Sequence, residues 1–233
     1  MLKYLNILTT AVPRYNLHEE CLIPTVQTLV NNDYDINWYI NLDILDYYTE
    51  ADVNKTCKQL RSTSSRINIF LNCCQEPNFS QAFNKIIEMS SKNIKTAHNN
   101  IFFILEDDWQ PYKSTLPLFC DKILDFFDNQ FRFLYGGPHP FLTLCPTVFR
   151  QDFFLELIQA QVEEPLGCPE EHFIATKQKY FKEADFKTLL NKYPTRYDRI
   201  RAFYDVGRAY RSKNGIKKNY LTSNNRAITW LKK

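Results

Sequence analysis

The stretch NIFFILEDDWQPY, residues 100–112, decides the fold of this chain. Five apolar residues in succession, IFFIL, run directly into Glu106, Asp107 and Asp108. A strand that is apolar on both faces is typical of the centre of a parallel sheet with helices on both sides. Ligands of such sheets bind beyond the carboxyl ends of the strands. The stretch therefore predicts a buried central strand that ends in an acidic site.

Upstream of this stretch, strand-like and helix-like segments alternate. Strand patterns occupy residues 4–10, 36–45 and 67–72, and helical patterns occupy residues 22–31, 51–64 and 79–89. The last helix carries an apolar stripe at helical spacing, formed by Phe79, Ala82, Phe83, Ile86 and Ile87. This alternation predicts an α/β fold with a Rossmann-type, mostly parallel central sheet flanked by helices. We expect a single domain over residues 1–233.

Composition excludes several classes of protein. The 233 residues are 44% hydrophobic and 24% charged, as expected for one globular domain, and the net charge of +3 requires no polyanionic partner. No apolar run approaches the roughly 20 residues that a membrane span needs. Seven cysteines without a CxxC pair predict reduced, buried thiols and a cytoplasmic protein. Cys73 and Cys74 could alternatively form a redox-active vicinal pair, but we favour small core residues.

The three acids favour a hard cation. In an extended backbone Glu106 and Asp108 point to the same side, and Asp107 points to the other. Two carboxylates on one side suit Mg²⁺ or Mn²⁺, which usually complete their shells with water and phosphate oxygens. The alternative is a solvated acidic loop that caps the next helix.

Four segments, in order, resemble the nucleotide-sugar-dependent glycosyltransferases of the GT-A fold, in particular the large inverting family with a V-P-x-Y-N opening. AVPRYN, residues 11–16, is similar to the loop that holds the nucleotide base, and Asp43 falls where the family keeps an acid for the uracil or ribose. NFSQAFN, residues 78–84, resembles an Asn-x-Gly-x-x-x-Ala-x-Asn helix, with Ser80 in place of glycine. ILEDDW, residues 104–109, is similar to the family's DXD element.

The resemblance implies a GT-A-like enzyme that moves a sugar from a UDP or GDP sugar to a glycan, lipid-linked or protein acceptor, with inversion. It implies Mn²⁺ or Mg²⁺ at Asp108 and Glu106. CPEEHF, residues 168–173, resembles the late acidic pair and makes Glu171 the catalytic base, with Glu170 or Asp152 as reserves. The predicted nucleotide contacts are Thr10, Pro13, Tyr15, Asp43, Asn78, Asn84, Glu106, Asp107 and Arg208.

The chain then divides into a nucleotide-binding half (1–112), an acceptor half (113–206) and a basic extension (207–233). The extension holds eight Lys or Arg and no acid. It could fold over the diphosphate, contact an acidic membrane surface peripherally, or remain a solvated tail.

Two other functions stay open. Clustered acids also serve metal-dependent phosphohydrolases and nucleases, although Asp43 is the only good candidate for a further acid at a strand end. The alternating aromatic and basic residues near 196–204 give some support to a non-catalytic nucleic-acid-binding protein. The acidic crevice and near-neutral charge argue against nucleic acid as a partner.

Overall fold

The computed structural model describes residues 3–30, 35–94, 99–128, 133–137, 146–163, 197–221 and 226–232. Its strands are β1 (Lys3–Ala11), β2 (Asp35–Asp43), β3 (Ile67–Cys74), β4 (Asn99–Ile104), β5 (Trp109–Pro111), β6 (Phe133–Tyr135), β7 (Thr147–Arg150), β8 (Tyr197–Arg199), β9 (Phe203–Asp205), β10 (Ile216–Leu221) and β11 (Arg226–Lys232). Its helices are α1 (Tyr15–Glu20), α2 (Leu22–Leu29), α3 (Glu50–Arg61), α4 (Phe79–Ser91), α5 (Leu116–Asp128), α6 (Gln151–Glu163) and α7 (Gly207–Lys213).

A seven-stranded sheet with the order β3-β2-β1-β4-β7-β6-β8 forms the centre of the described structure. The first four strands in this order pair in parallel. Strand β7 is antiparallel to both of its neighbours, and β8 is parallel to β6. Short β5 pairs with β9, and β10 forms a hairpin with β11. The mostly parallel α/β sheet predicted from the sequence is confirmed.

Helices cover both faces of this sheet. On one face, Leu22, Val26, Leu60, Phe119 and Ile123 pack against Ile7, Trp38 and Phe103. On the other face, Phe83, Ile86, Ile87, Phe153, Phe154 and Leu157 pack against Leu8, Tyr39 and Phe102. Because neighbouring Phe102 and Phe103 are both fully buried, in opposite clusters, β4 is apolar on both faces, as its sequence predicts.

A row of amide side chains crosses the parallel half of the sheet. Asn68 donates to Asn37 at 3.1 Å, Asn37 to Asn6 at 3.1 Å, Asn6 to Asn100 at 3.3 Å, and Asn100 to Gln151 at 2.9 Å. The first three asparagines are 31 residues apart, and the strand register places each beside the next. A shifted register would leave buried amides without partners, so this row stabilises the observed pairing.

Two features differ from the sequence-based expectations. Helix α1 was not expected; its six residues are anchored by buried Leu17 and His18. The expectation of buried thiols is wrong for Cys73, which is exposed, and fails in part for Cys57 and Cys74, which are half-buried. Within the described ranges, no helix is long and apolar enough to cross a membrane.

Candidate functional site

The carboxyl ends of β1, β2 and β4 meet at one edge of the sheet and form a crevice of about 60 Å³. Its walls are Thr10, Ala11, Val12, Arg14, Asp43, Leu45, Phe79, Glu106, Asp107 and Asp108. The strand-end rule that pointed to the acids therefore also brings the opening loop and the end of β2 to the same place.

Asp107 is the anchor of this edge. Its carboxylate accepts hydrogen bonds from the Val12 backbone N–H and from Arg14 Nε, each at 3.1 Å, and pairs with Arg14 Nη2. His18 Nε2 lies 3.3 Å from the same carboxylate. Burial opposes ionisation of Asp107, but Arg14 and His18 outweigh it and hold its pKa below the usual value. The buried Asp107 thus ties the end of β4 to the segment from Val12 to His18.

Asp108 faces a different partner. Its Oδ2 lies 3.5 Å from Arg211 Nη1 on α7 and 3.9 Å from Arg14 Nη2. Burial, together with the nearby charges of Asp107 and Asp205, raises the pKa of Asp108 despite the two arginines. The ionised Asp108 is therefore only partly compensated by the cations around it.

Helix α7 approaches Asp108 closely because its first residue is glycine. A Cβ on Gly207 would lie 1.9 Å from Asp108 Oδ2. The backbone is fixed at the same point, since Val206 N–H donates to the Asp108 carbonyl at 3.0 Å and β5 pairs with β9 just before it. Helix α7, the first element of the basic extension, thus lies against the acidic turn.

Glu106 is half-buried in the crevice wall, where its Oε2 accepts a hydrogen bond of 3.4 Å from Trp109 Nε1. Trp109 itself is only 8% exposed and packs in the core. The Trp109 indole therefore connects the acidic turn to the hydrophobic core.

Asp43 completes the acidic side of the crevice. It is 9% exposed, and its Oδ1 accepts a hydrogen bond of 2.7 Å from Asn41. Burial raises the pKa of Asp43 to about 7, although hydrogen bonds from Asn41 and the Asn78 backbone favour the ionised form. The Asn78 side chain caps α4, accepting from Gln81 N–H at 3.1 Å. Near neutral pH, Asp43 therefore changes its charge.

A second cavity of about 190 Å³ lies beside the opening loop. Its walls are Pro13, Arg14, Tyr15, Asn16, Tyr47, Tyr48, Asp52, Tyr210, Asn214 and Ile216. The Arg14 guanidinium lies 5.2 Å from the centre of the Tyr210 ring. Arg14 thus separates the two cavities and contacts α7 from the opening loop.

The structure places the predicted site residues that it describes in the crevice, in the second cavity or outside both. Thr10, Asp43, Glu106, Asp107 and Asp108 line the crevice, while Pro13 and Tyr15 line the second cavity. Asn84 is half-buried on α4 outside both walls, and Arg208 is exposed. Glu170 and Glu171 lie outside the described residues.

Asp152 is excluded as a reserve base by the direction of β7. Because β7 is antiparallel to β4, Arg150 lies beside Ile101 and α6 begins at the opposite edge of the sheet. The five residue steps from Ile101 to Glu106, extended along β4 and just beyond its end, span roughly 17 Å.

Sequence analysis missed the roles of Arg14 and His18. The available signal was electrostatic: three adjacent acids beside a buried strand need cations, and Arg14 stands within the opening loop itself.

Neither protein-family models nor curated proteins match this sequence. Solved structures to which this chain is similar include the glycosyltransferase GlyE of Streptococcus pneumoniae TIGR4, at 12% identity and a TM-score of 0.40, over 86% of this chain and 45% of GlyE. S. aureus TarS 1–349 in complex with UDP has 12% identity and a TM-score of 0.45, over 88% of this chain and 60% of that one. A nucleoside-diphosphate-sugar pyrophosphorylase from Vibrio cholerae RC9 has 11% identity and a TM-score of 0.39, over 84% and 91%. The chain spans about half the length of the first two, and likenesses this distant leave function to be argued from the site.

Proposed function

We propose that this chain is a metal-dependent glycosyltransferase that moves a sugar from a nucleoside-diphosphate sugar to an acceptor hydroxyl, with inversion. One observation carries the proposal. Three of the four segments that resemble the family, namely the opening loop, Asp43 and the acidic turn, meet in one crevice, and the fourth begins at its wall with Asn78 and Phe79. Convergence of segments far apart in the chain supports a shared ligand more strongly than any of the motifs alone.

The three acids of the turn have different proposed roles. Asp107 is engaged by Arg14 and His18, which leaves Glu106 and Asp108 to hold Mn²⁺ or Mg²⁺. Their hard oxygen donors and the raised pKa of Asp108 suit a cation. The described residues contain no group of three or more metal-binding side chains, so diphosphate oxygens and water would complete the shell. When bound, such a cation supplies positive charge that stabilises the departing diphosphate.

Donor binding on this proposal requires α7 to move. The crevice of about 60 Å³ is far below the about 300 Å³ of a small-molecule site. Gly207 and Arg211 occupy the space in front of Asp108. A diphosphate would attract Arg211 away from the Asp108 carboxylate, because a guanidinium binds phosphate oxygens in the same forked geometry. Arg211 rather than exposed Arg208 is therefore the proposed phosphate contact of this segment.

The acceptor proton needs a base, and Glu171 remains our proposal, with Glu170 in reserve. Single displacement by the acceptor hydroxyl would invert the anomeric centre. The proposed acceptor hydroxyl belongs to a glycan, a lipid-linked molecule or a protein.

Calorimetric titration with UDP and GDP, with and without Mn²⁺, tests the proposal. We expect metal-dependent binding that Asp108→Ala abolishes and that Asp152→Asn, at the opposite edge of the sheet, leaves intact. Glu171→Gln should retain nucleotide binding and lose sugar transfer. Absence of binding to every nucleoside diphosphate and nucleotide sugar, with salt-sensitive binding to oligonucleotides, would overturn it. Release of phosphate from a nucleotide without sugar transfer would instead identify a phosphohydrolase.

A further inference from the structure

A pair of thiols lies outside the crevice, where α3 meets the edge of the sheet. Cys57 on α3 and Cys73 near the end of β3 have their sulphur atoms 3.7 Å apart. Strand β3 is the edge strand of the sheet. Cys73 is exposed and Cys57 is half-buried, so a small solute can reach the pair. A disulfide needs the sulphur atoms at about 2.0 Å, which a modest side-chain rotation can achieve from this starting distance.

The vicinal partner does not compete for the same bond. Cys73 lies beside Leu42, whose side chain belongs to the core cluster that Cys57 also contacts. Successive side chains of a strand point to opposite faces, so Cys74 faces away from Cys57. The Cys74 thiol instead donates to the Glu76 carbonyl at 3.2 Å. Of the five cysteines in the described ranges, Cys21 and Cys120 are buried.

We infer that Cys57 and Cys73 form a reversible dithiol–disulfide site that links α3 to the edge strand under disulfide stress. The oxidant is a small disulfide such as oxidised glutathione. One protein thiolate attacks it and releases one glutathione thiolate, and the second protein thiolate then displaces the other glutathione from the mixed disulfide. The protein loses two electrons and two protons, and one glutathione disulfide becomes two glutathione thiols.

The rate of oxidation at this site depends on pH. Although the residue Cys73 is exposed, its sulphur lies 3.7 Å from that of Cys57 on α3, and this partial desolvation, together with the neighbouring Cys57 thiol, raises the pKa of Cys73 to about 11. Since only the thiolate attacks, oxidation should accelerate between pH 7 and pH 9. The inference concerns a separate place in the fold and does not depend on glycosyl transfer.

Peptide mapping tests this inference. The full chain is incubated with oxidised glutathione at pH 8.5, free thiols are alkylated, and tryptic peptides are compared before and after reduction. We expect a reducible link between peptides 56–58 and 67–85. The link should persist in Cys74→Ser and disappear in Cys73→Ser. Fragmentation between Cys73 and Cys74 in the wild-type peptide locates the bond without any variant.

Stability provides a second readout. A cross-link between Cys57 and Cys73 closes a loop of about 16 residues and stabilises by about 3 kcal/mol, so the unfolding midpoint should rise by roughly 6–12 °C, and dithiothreitol should reverse the rise. The inference is overturned if the link survives in Cys73→Ser, if glutathione adducts accumulate at Cys73 without cross-linking, or if no thiol of the pair reacts.

Discussion

Replacing Asp107 with asparagine separates an anchoring role from a ligand role. The carboxylate serves Val12, Arg14 and His18 at once, and Arg14 is only 7% exposed. Asp107→Asn keeps the shape but leaves the Arg14 guanidinium buried with only Asp108 as a counter-charge, 3.9 Å away. Removing one partner of a buried ion pair costs about 3–5 kcal/mol.

We therefore expect Asp107→Asn to lower the free energy of unfolding by about 3 kcal/mol. In urea, with a slope of about 2–3 kcal/mol/M, the midpoint should fall by roughly 1 M or more. The neighbouring change is the control: Asp108→Asn at pH 8 should be neutral or stabilising, because the raised pKa of Asp108 shows that its charge is disfavoured in the folded state.

The loss of stability at acid pH provides a second measurement of the anchoring role of Asp107. The pKa of Asp107 is lowered on folding, so its contribution is present above the unfolded value of about 3.9 and is lost as pH falls toward the native value. Wild type should thus lose more stability than Asp107→Asn between pH 4 and pH 2. The anchoring role is refuted if Asp107→Asn retains wild-type stability while nucleotide binding disappears, because Asp107 would then be a ligand.

Three further predictions follow from single contacts. Gly207→Ala places a Cβ 1.9 Å from Asp108 Oδ2, so we expect a loss of about 1–3 kcal/mol and faster amide exchange in α7; unchanged exchange would contradict the packing. Asn37→Ala interrupts the amide row and should lower the free energy of unfolding, measured in urea, by about 2–3 kcal/mol. Asn68→Ala, at the exposed end of the row, should lower it by less than about 1 kcal/mol, and equal losses would contradict a cooperative row. Burial raises the pKa of Asp43 to about 7, so wild type should lose stability as pH rises from 4 to 7. Melting curves of Asp43→Asn should show a smaller decline over this range, and a decline equal to that of wild type would refute the role of Asp43.

The parallel half of the sheet was predictable because its signals are local. Residues 101–104 of buried β4 form a continuous apolar run, and α4 repeats its apolar residues at helical spacing. The sequence also contains a signal for the strand register, because Asn6, Asn37 and Asn68 are each 31 residues apart. Equal spacing has no meaning until the strands are known to be neighbours, which explains why the pattern was not recognised.

The short elements were not predictable because distant contacts create them. Strand β5 has three residues and pairs with β9, whose residues lie more than ninety positions later. Helix α1 has six residues and no side-chain cap, and it is held by the burial of Leu17 and His18. Isolated helices of this length are unstable in water, so local propensity carries almost no information about them.

The candidate site was predictable to the level of strand ends and no further. The carboxyl ends of parallel strands converge, which located Asp43 and the acidic turn, whereas Thr10 was expected only from the family resemblance. Which acid receives which cation depends on loop conformation, so the pairing of Asp107 with Arg14 required the structure.

Asp107 and Asp108 are adjacent in the chain, but the pKa of Asp107 is lowered and that of Asp108 is raised. This contrast suits different roles for the two acids in the crevice. Asp107 is saturated by three donors from the opening segment, so it stabilises the fold and is not free to exchange partners. Asp108 is unsaturated: its pKa is raised even with Arg211 at 3.5 Å. A bound diphosphate would draw Arg211 away from Asp108, and a bound cation would take the place of Arg211 at the Asp108 carboxylate. Both changes break the contact between Arg211 and Asp108, and both therefore favour the same displacement of α7. On the proposed function, donor and metal would therefore bind cooperatively, since each removes one side of the contact that closes the crevice.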